Sequence, residues 1–161
     1  MMVGFIAGAI LSAFSSCGKA PVPCDGDSLM PEPHACPDRA SLGFAQEFGS
    51  GTFIGTSVQE SLSIRNGGVA DLQISEITFS GDSAFQMAVE PQVPSTIKGN
   101  KYQFIRITFA PTQARAYSGT VTVKSNAANV TGGTQTFAVS GCGVPADGGT
   151  SPCYRDGGTA P

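Results

Sequence analysis

Between Ser41 and Val144 apolar and polar residues alternate one for one, and Gly, Asn or Pro interrupts the alternation every few residues. Successive side chains of an extended chain point to opposite faces, so this period buries one face of a strand and wets the other. No sustained helical period occurs outside an apolar run at the N-terminus. Sheets of this pattern must be covered on one side, and with no helices to hand the cover is a second sheet.

The strands follow from the phase. SLGFA (41–45) opens the series, and SLSIR (61–65) sets Leu62 and Ile64 on one face. The next residues, Asn66, Gly67 and Gly68, read as a hairpin turn, because Asn and Gly accept positive φ. DLQIS (71–75) continues with Leu72 and Ile74, then the phase slips to Ile77 and Phe79, which predicts a bulge or a bend between sheets. FQMAV (85–89) is short. YQFIRITF (102–109) aligns Ile105, Ile107 and Phe109; GTVTVKS (119–125) aligns Val121 and Val123; TQTFAVS (134–140) aligns Phe137 and Val139. Seven short strands in about 100 residues predict an all-β, two-sheet sandwich.

The flanks differ in composition. Residues 17–40 hold Pro21, Pro23, Pro31, Pro33 and Pro37 with little apolar periodicity, as expected of a stiffened tether. Residues 145–161 are Gly-rich, repeat the tripeptide DGG and hold too little apolar surface to offset the entropy of ordering, so a disordered tail is expected. The run Val3–Phe14 falls short of the roughly 20 residues a membrane-spanning helix needs, but suits the apolar region of a secretory signal. It leads into Phe14-Ser15-Ser16-Cys17, which resembles a bacterial lipobox. The expectation is a signal peptide over 1–16, a lipid on Cys17, and attachment to the bacterial outer membrane or cell surface. An ordinary cleaved signal with a secreted product, and a cytoplasmic chain, are the alternatives.

The cysteines stand at 17, 24, 36, 142 and 153. An odd count in a secreted chain leaves one to explain, and lipidation of Cys17 leaves Cys24, Cys36, Cys142 and Cys153 for two disulfides. Local pairing, Cys24 with Cys36 and Cys142 with Cys153, needs no detour along the domain. His34 with Cys24 and Cys36 could instead ligate a metal, but the close Cys pairs usual in zinc sites are missing, and an oxidising compartment favours the disulfide.

At this level of detail the sequence resembles a known family. From Phe48 onward, Phe48-Gly49, Gly55, Leu62 and Ile64, Asn66 and Gly68, and Leu72 and Ile74 follow the opening half of the hydin-type, abnormal-spindle-related immunoglobulin-like domains (ASH-like, choice-of-anchor D-like). Phe109-Ala110-Pro111, Tyr117, Gly119, Ser125-Asn126 and the closing Gly141-Cys142-Gly143 follow the second half. One extra residue between Gly49 and Gly55, and Arg115 in place of glycine, fall in loops. The resemblance spans 41–144. It implies a seven-stranded immunoglobulin-like β-sandwich related to the major sperm protein, a role in protein–protein contact, and no catalytic residues.

The residues themselves agree. A Ser-His-Asp site would depend on His34, which sits in the proline-rich tether with nothing to orient it. Phosphate-cradling and nucleophile-elbow motifs are missing from the sequence, so no enzyme, no cofactor and no metal are expected. A formal net charge of −3 gives no sign of nucleic-acid binding. The charges are unevenly placed: Glu47, Glu60, Asp71, Glu76, Asp82 and Glu90 precede Lys98, Lys101, Arg106, Arg115 and Lys124. Interleaved strands would turn these into exposed cross-strand pairs. The sharper alternative is a basic face, with Lys98, Lys101 and Arg106 as candidate binding residues for an anionic envelope partner. The expected function is a lipid-anchored interaction module of the envelope with an unknown protein or anionic partner. The alternatives are a structural subunit joined by strand-edge pairing and a ligand- or metal-binding accessory lipoprotein.

Overall fold

The computed structural model describes Cys24, residues 29–44 and 51–146, and Cys153. Its strands are β1 (Ala35–Pro37), β2 (Ser41–Phe44), β3 (Thr52–Phe53), β4 (Val58–Asn66), β5 (Leu72–Gly81), β6 (Phe85–Glu90), β7 (Ser95–Ile97), β8 (Tyr102–Phe109), β9 (Ala116–Ser125) and β10 (Thr134–Val144). One sheet runs β1-β4-β8-β6. The other runs β2-β10-β9-β5-β7, with β3 also pairing on β10. The fold is an all-β immunoglobulin-like sandwich, and the alternation explains its core. Leu62, Ile64, Ile105, Ile107 and Phe109 of the first sheet are each 0% exposed. They face Leu72, Ile74, Val121, Val123, Phe137 and Val139 of the second, all buried. The phase slip in β5 is a register shift between Ile74 and Glu76, which returns Ile77 to the core.

Aromatic packing closes one end. Phe109 lies 4.7 Å from Phe85, 5.5 Å from Phe44 and 5.3 Å from Tyr117, centroid to centroid. The Tyr117 hydroxyl accepts from the Gln113 N–H (3.0 Å) and donates to the Gln113 carbonyl (3.1 Å), pinning the turn between β8 and β9. This is the tyrosine corner of immunoglobulin sandwiches. The closing Gly-Cys-Gly is dictated by close approach: a Cβ at Gly141 would meet the Phe109 ring at 2.7 Å, and one at Gly143 the Gln113 carbonyl oxygen at 2.2 Å.

Several expectations need correction. There are three strands beyond the seven expected, β1, β3 and β7, each two or three residues long and too short to show a period. The expected tether is not wholly a tether: Ala35–Pro37 pairs with Asn66–Ile64 of β4, and Ala35 and Cys36 are buried. Proline is tolerated there because β1 is a sheet edge. Ahead of it, the Met30 N–H bonds the Gly67 carbonyl (2.9 Å) and the Val69 N–H bonds the Met30 carbonyl (2.7 Å). The hairpin expected at Asn66–Gly68 is instead a crossing between sheets, since β4 and β5 belong to different sheets. The signal peptide, Cys17, most of the tether and most of the tail lie outside the described residues.

Two buried amides mark the places where the chain changes sheets. Asn66 and Gln103, both 0% exposed, occupy the inward phase of β4 and β8. Asn66 Nδ2 donates to the carbonyls of Ala70 and Ile97, both at 2.8 Å, and its Oδ1 accepts from Gly68 (2.8 Å) and His34 (3.3 Å). Gln103 Nε2 donates to the Pro91 carbonyl (2.7 Å) and its Oε1 accepts from Ser95 Oγ (2.7 Å), bracing the passage from β6 to β7. Burying an amide is tolerable only when its groups are satisfied in this way.

Candidate functional site

If one face of β4 and β8 fills the core, the residues between must face solvent. On β8 these include Tyr102, Phe104 and Arg106; on β4, Ser61, Ser63 and Arg65. Short polar side chains are expected on such a face, but Tyr102 and Phe104 are 46% and 41% exposed. Their rings lie 5.9 Å apart and 19° from parallel. The strand register sets Arg65 opposite Tyr102, Ser63 opposite Phe104, and Cys36 of β1 opposite Arg65.

This arrangement makes a groove of about 390 Å³ beside the rings. Its walls include the Cys24–Cys36 disulfide (Cα–Cα 5.6 Å), Asp38, Ser63, Arg65 and Tyr102. Arg65 is held by its fork: Nη1 donates to Asn100 Oδ1 (3.2 Å) and Nη2 to the Cys24 carbonyl (3.1 Å). Among the described residues it forms no ion pair with a carboxylate. Asp38, the acid of the groove, accepts from the Ser63 N–H (2.9 Å) and pairs with Arg39 at 3.6 Å.

The candidate basic residues are not gathered into one uncompensated patch. Lys98 pairs with Asp71 at 2.7 Å and Arg106 pairs with Glu90, while Lys101 forms no ion pair among the described residues. Lys124 pairs with Glu76 at 2.6 Å and Arg115 with Asp82 at 2.7 Å. Acids of the first half thus meet bases of the second because their strands interleave. The Arg115 guanidinium bonded to Asp82, helped by the Ser118 N–H, holds the Asp82 carboxyl below the usual carboxylate range. The same contact pushes the Arg115 guanidinium up, and it stacks over the Tyr117 ring at 3.8 Å.

The cysteines resolve the choice between disulfide and metal. Cys24 is bonded to Cys36, so neither offers a thiolate to a metal beside His34. Cys142, near the end of β10, is bonded to Cys153 (Cα–Cα 6.1 Å), which ties the tail back to the sandwich. Sequence reasoning missed Tyr102, Phe104 and Arg65 as a group. The available signal was the phase of YQFIR, which places both rings with Arg106 on the polar side.

Comparison with known proteins gives the lineage. A PapD-like (ASH) domain of human CEP192 superposes with a TM-score of 0.52 at 19% identity, covering 72% of this chain and 89% of that one. A Porphyromonas gingivalis protein of unknown function gives a TM-score of 0.52 at 13% identity, over 72% of this chain and 49% of the other, so this chain spans about half of it. At these identities the likeness is one of fold. A search of curated proteins finds no match. The family model of the HYDIN/CFA65/VesB-like Ig-like domain matches residues 41–142, well over half of the sequence. The chain therefore belongs to the HYDIN/CFA65/VesB-like family of Ig-like domains.

Proposed function

We propose that the chain is a non-catalytic protein displayed outside the cytoplasm on a lipid attached to Cys17, presenting its sandwich as an interaction module. The observation that carries this reading is the outward face of the four-stranded sheet. Two large aromatic rings stand exposed there beside a groove, where they add little to the core and are available to a partner. The two disulfides support an oxidising compartment. The lipobox-like Phe14-Ser15-Ser16-Cys17 supports the anchor. The non-catalytic part is supported by His34, whose backbone N–H is tied to Asn66 and whose Nδ1 is buried with no hydrogen-bond partner among the described residues, so no carboxylate or hydroxyl is set beside it as in a catalytic triad. The partners on this reading are the membrane, through the lipid, and a protein or anionic component of the envelope.

Fractionation tests the anchor. The wild-type chain is expected with membranes, carrying an N-terminal mass increment on Cys17, and Cys17→Ala is expected in the soluble fraction. A mature chain that begins elsewhere and carries no lipid refutes it.

A second reading, a structural subunit joined through strand edges, is favoured by one observation. β1 covers β4 only from Ile64 to Asn66, so among the described residues no strand borders the outer side of Val58–Leu62. Sedimentation of the Cys17→Ala chain separates the two: a monomer supports the module, and a stable oligomer the subunit.

A further inference from the structure

We propose that the outward face of the four-stranded sheet binds a carboxylated polysaccharide, with Tyr102 and Phe104 as the stacking platform and Arg65 as the partner of the carboxylate. The proposal rests on the sandwich being a non-catalytic binding module and is independent of the lipid anchor. A pyranose ring presents a flat C–H face that packs on an aromatic ring while its hydroxyls point outward in the ring plane. Tyr102 and Phe104 stack on each other, 5.9 Å between centroids, and each is more than 40% exposed, so the surface on offer is the outward part of the stacked pair.

Arg65 supplies the charge complementarity. A guanidinium has five N–H donors in a planar fork suited to a carboxylate. Two hydrogen bonds, to Asn100 Oδ1 and the Cys24 carbonyl, orient the fork and leave other donors unused. Both acceptors are neutral, and no carboxylate among the described residues answers the positive charge. The acid in the groove, Asp38, is already engaged by Arg39 and the Ser63 N–H. The groove, at about 390 Å³, lies in the range of small-ligand sites and has room for about one or two sugar rings.

The rest of the face argues for a sugar over a protein. A stable protein interface buries an apolar centre over roughly 1,200–2,000 Å². Away from the two rings this sheet presents hydroxyls and amides, such as Ser61 and the Gln59–Thr108 pair, together with the Arg106–Glu90 ion pair, in which Glu90 stands opposite Phe104 with its carboxylate already answered by Arg106. Those groups match sugar hydroxyls better than apolar side chains. The disulfide fixes the wall from which the Cys24 carbonyl holds Arg65, so the site is built before any ligand arrives.

Affinity electrophoresis of the full 161-residue chain carrying Cys17→Ala, in gels containing polygalacturonate, hyaluronate or dextran, tests this. Retardation is expected with at least one of the two acidic polymers and not with neutral dextran. Replacing both Tyr102 and Phe104 by Ala should weaken it at least tenfold with the melting temperature held within a few degrees. Should that variant fail to fold, Arg65→Gln decides alone, since it should also cost at least tenfold. Lys124→Gln, on the other sheet and equal in charge change, should leave binding unchanged. Five outcomes overturn the proposal: no retardation by either acidic polymer, equal retardation by dextran, undiminished binding in the folded aromatic double variant or in Arg65→Gln, equal loss in Lys124→Gln, or a concentration-dependent dimer abolished by the aromatic substitutions, which would make the face a self-interface. None of these alters membrane fractionation of the Cys17 chain, so the site can fail while the anchored module stands.

Discussion

Asn66→Ala should be among the most damaging single substitutions in this sandwich. Asn66 is 0% exposed, sits at the end of β4 in the phase of Leu62 and Ile64, and fills the two donor and two acceptor positions of its amide. Through them β4 is joined to β7 of the opposite sheet, to the crossing at Gly68–Ala70, and to the segment leading into β1. Alanine would strand those partners. Ile97 and Gly68 are buried and would lose their bonds without water to replace them, at about 1–3 kcal/mol each. The groups of Ala70 and His34 are more accessible and add less. A loss of about 4 kcal/mol follows, a large share of the roughly 5–15 kcal/mol available to a domain, and a fall in Tm of roughly 15 °C. The sequence has no tryptophan, so urea unfolding is followed by far-UV circular dichroism.

Asn66→Asp sharpens the test, because it keeps size and acceptors but replaces the Nδ2 donor by an oxygen aimed at the Ala70 and Ile97 carbonyls. Only the protonated acid can donate there, so its folded-state pKa must lie above the unfolded value of about 3.9. A raised acid pKa means stability that is highest at low pH. As pH rises above about 4 the variant should lose up to about 1.4 kcal/mol per unit until its folded pKa is passed. Should Asn66→Ala cost less than about 1 kcal/mol, or should Asn66→Asp follow the wild-type pH profile, the amide is filling space and the reasoning fails.

Thr52→Val runs in the opposite direction. Thr52 is 0% exposed and its Oγ1 has no hydrogen-bond partner among the described residues, so exchanging the hydroxyl for a methyl should raise stability by about 1 kcal/mol; a loss of that size in the urea midpoint contradicts it. Asp82→Asn should flatten the acid limb of stability. Because Arg115 lowers the Asp82 pKa from 3.8, its contribution is complete above that value and vanishes as pH falls through the lower folded value. Urea midpoints of wild type and variant should therefore differ by a constant gap from pH 7 to 5 and converge toward pH 2, and a gap that persists at pH 2 refutes the pairing.

The candidate site was partly legible. YQFIR places Tyr102 and Phe104 on the polar face by parity alone, and an aromatic pair in that phase is a signal readable without coordinates. That Arg65 stands opposite Tyr102 depends on the register between two distant strands, and that Cys24 reaches back to hold it joins residues 41 positions apart. The bases of the second half likewise read equally well as a basic face or as cross-strand pairs. The pairs Lys98 with Asp71 and Arg115 with Asp82 exist only once the strands are interleaved.

What the sequence determined by itself is the local part. Alternation is a property of neighbours along the chain, so the inward faces of β4, β5, β8, β9 and β10, and the slip at Ile74–Ile77, follow from the order of residues. The partners of each strand are not local. One alternating strand fits many positions in a sandwich, and its period is the same in all of them. Only the assembled structure decides that β1 and β7 exist, because three residues carry too little pattern to stand alone and are ordered by the strands they pair with. The same holds for Asn66 and Gln103: beside glycines or within a strand they read as turn or surface residues. They become interior residues because backbone groups brought in from the other sheet, or from the crossing between sheets, complete their hydrogen bonds and offset the loss of water.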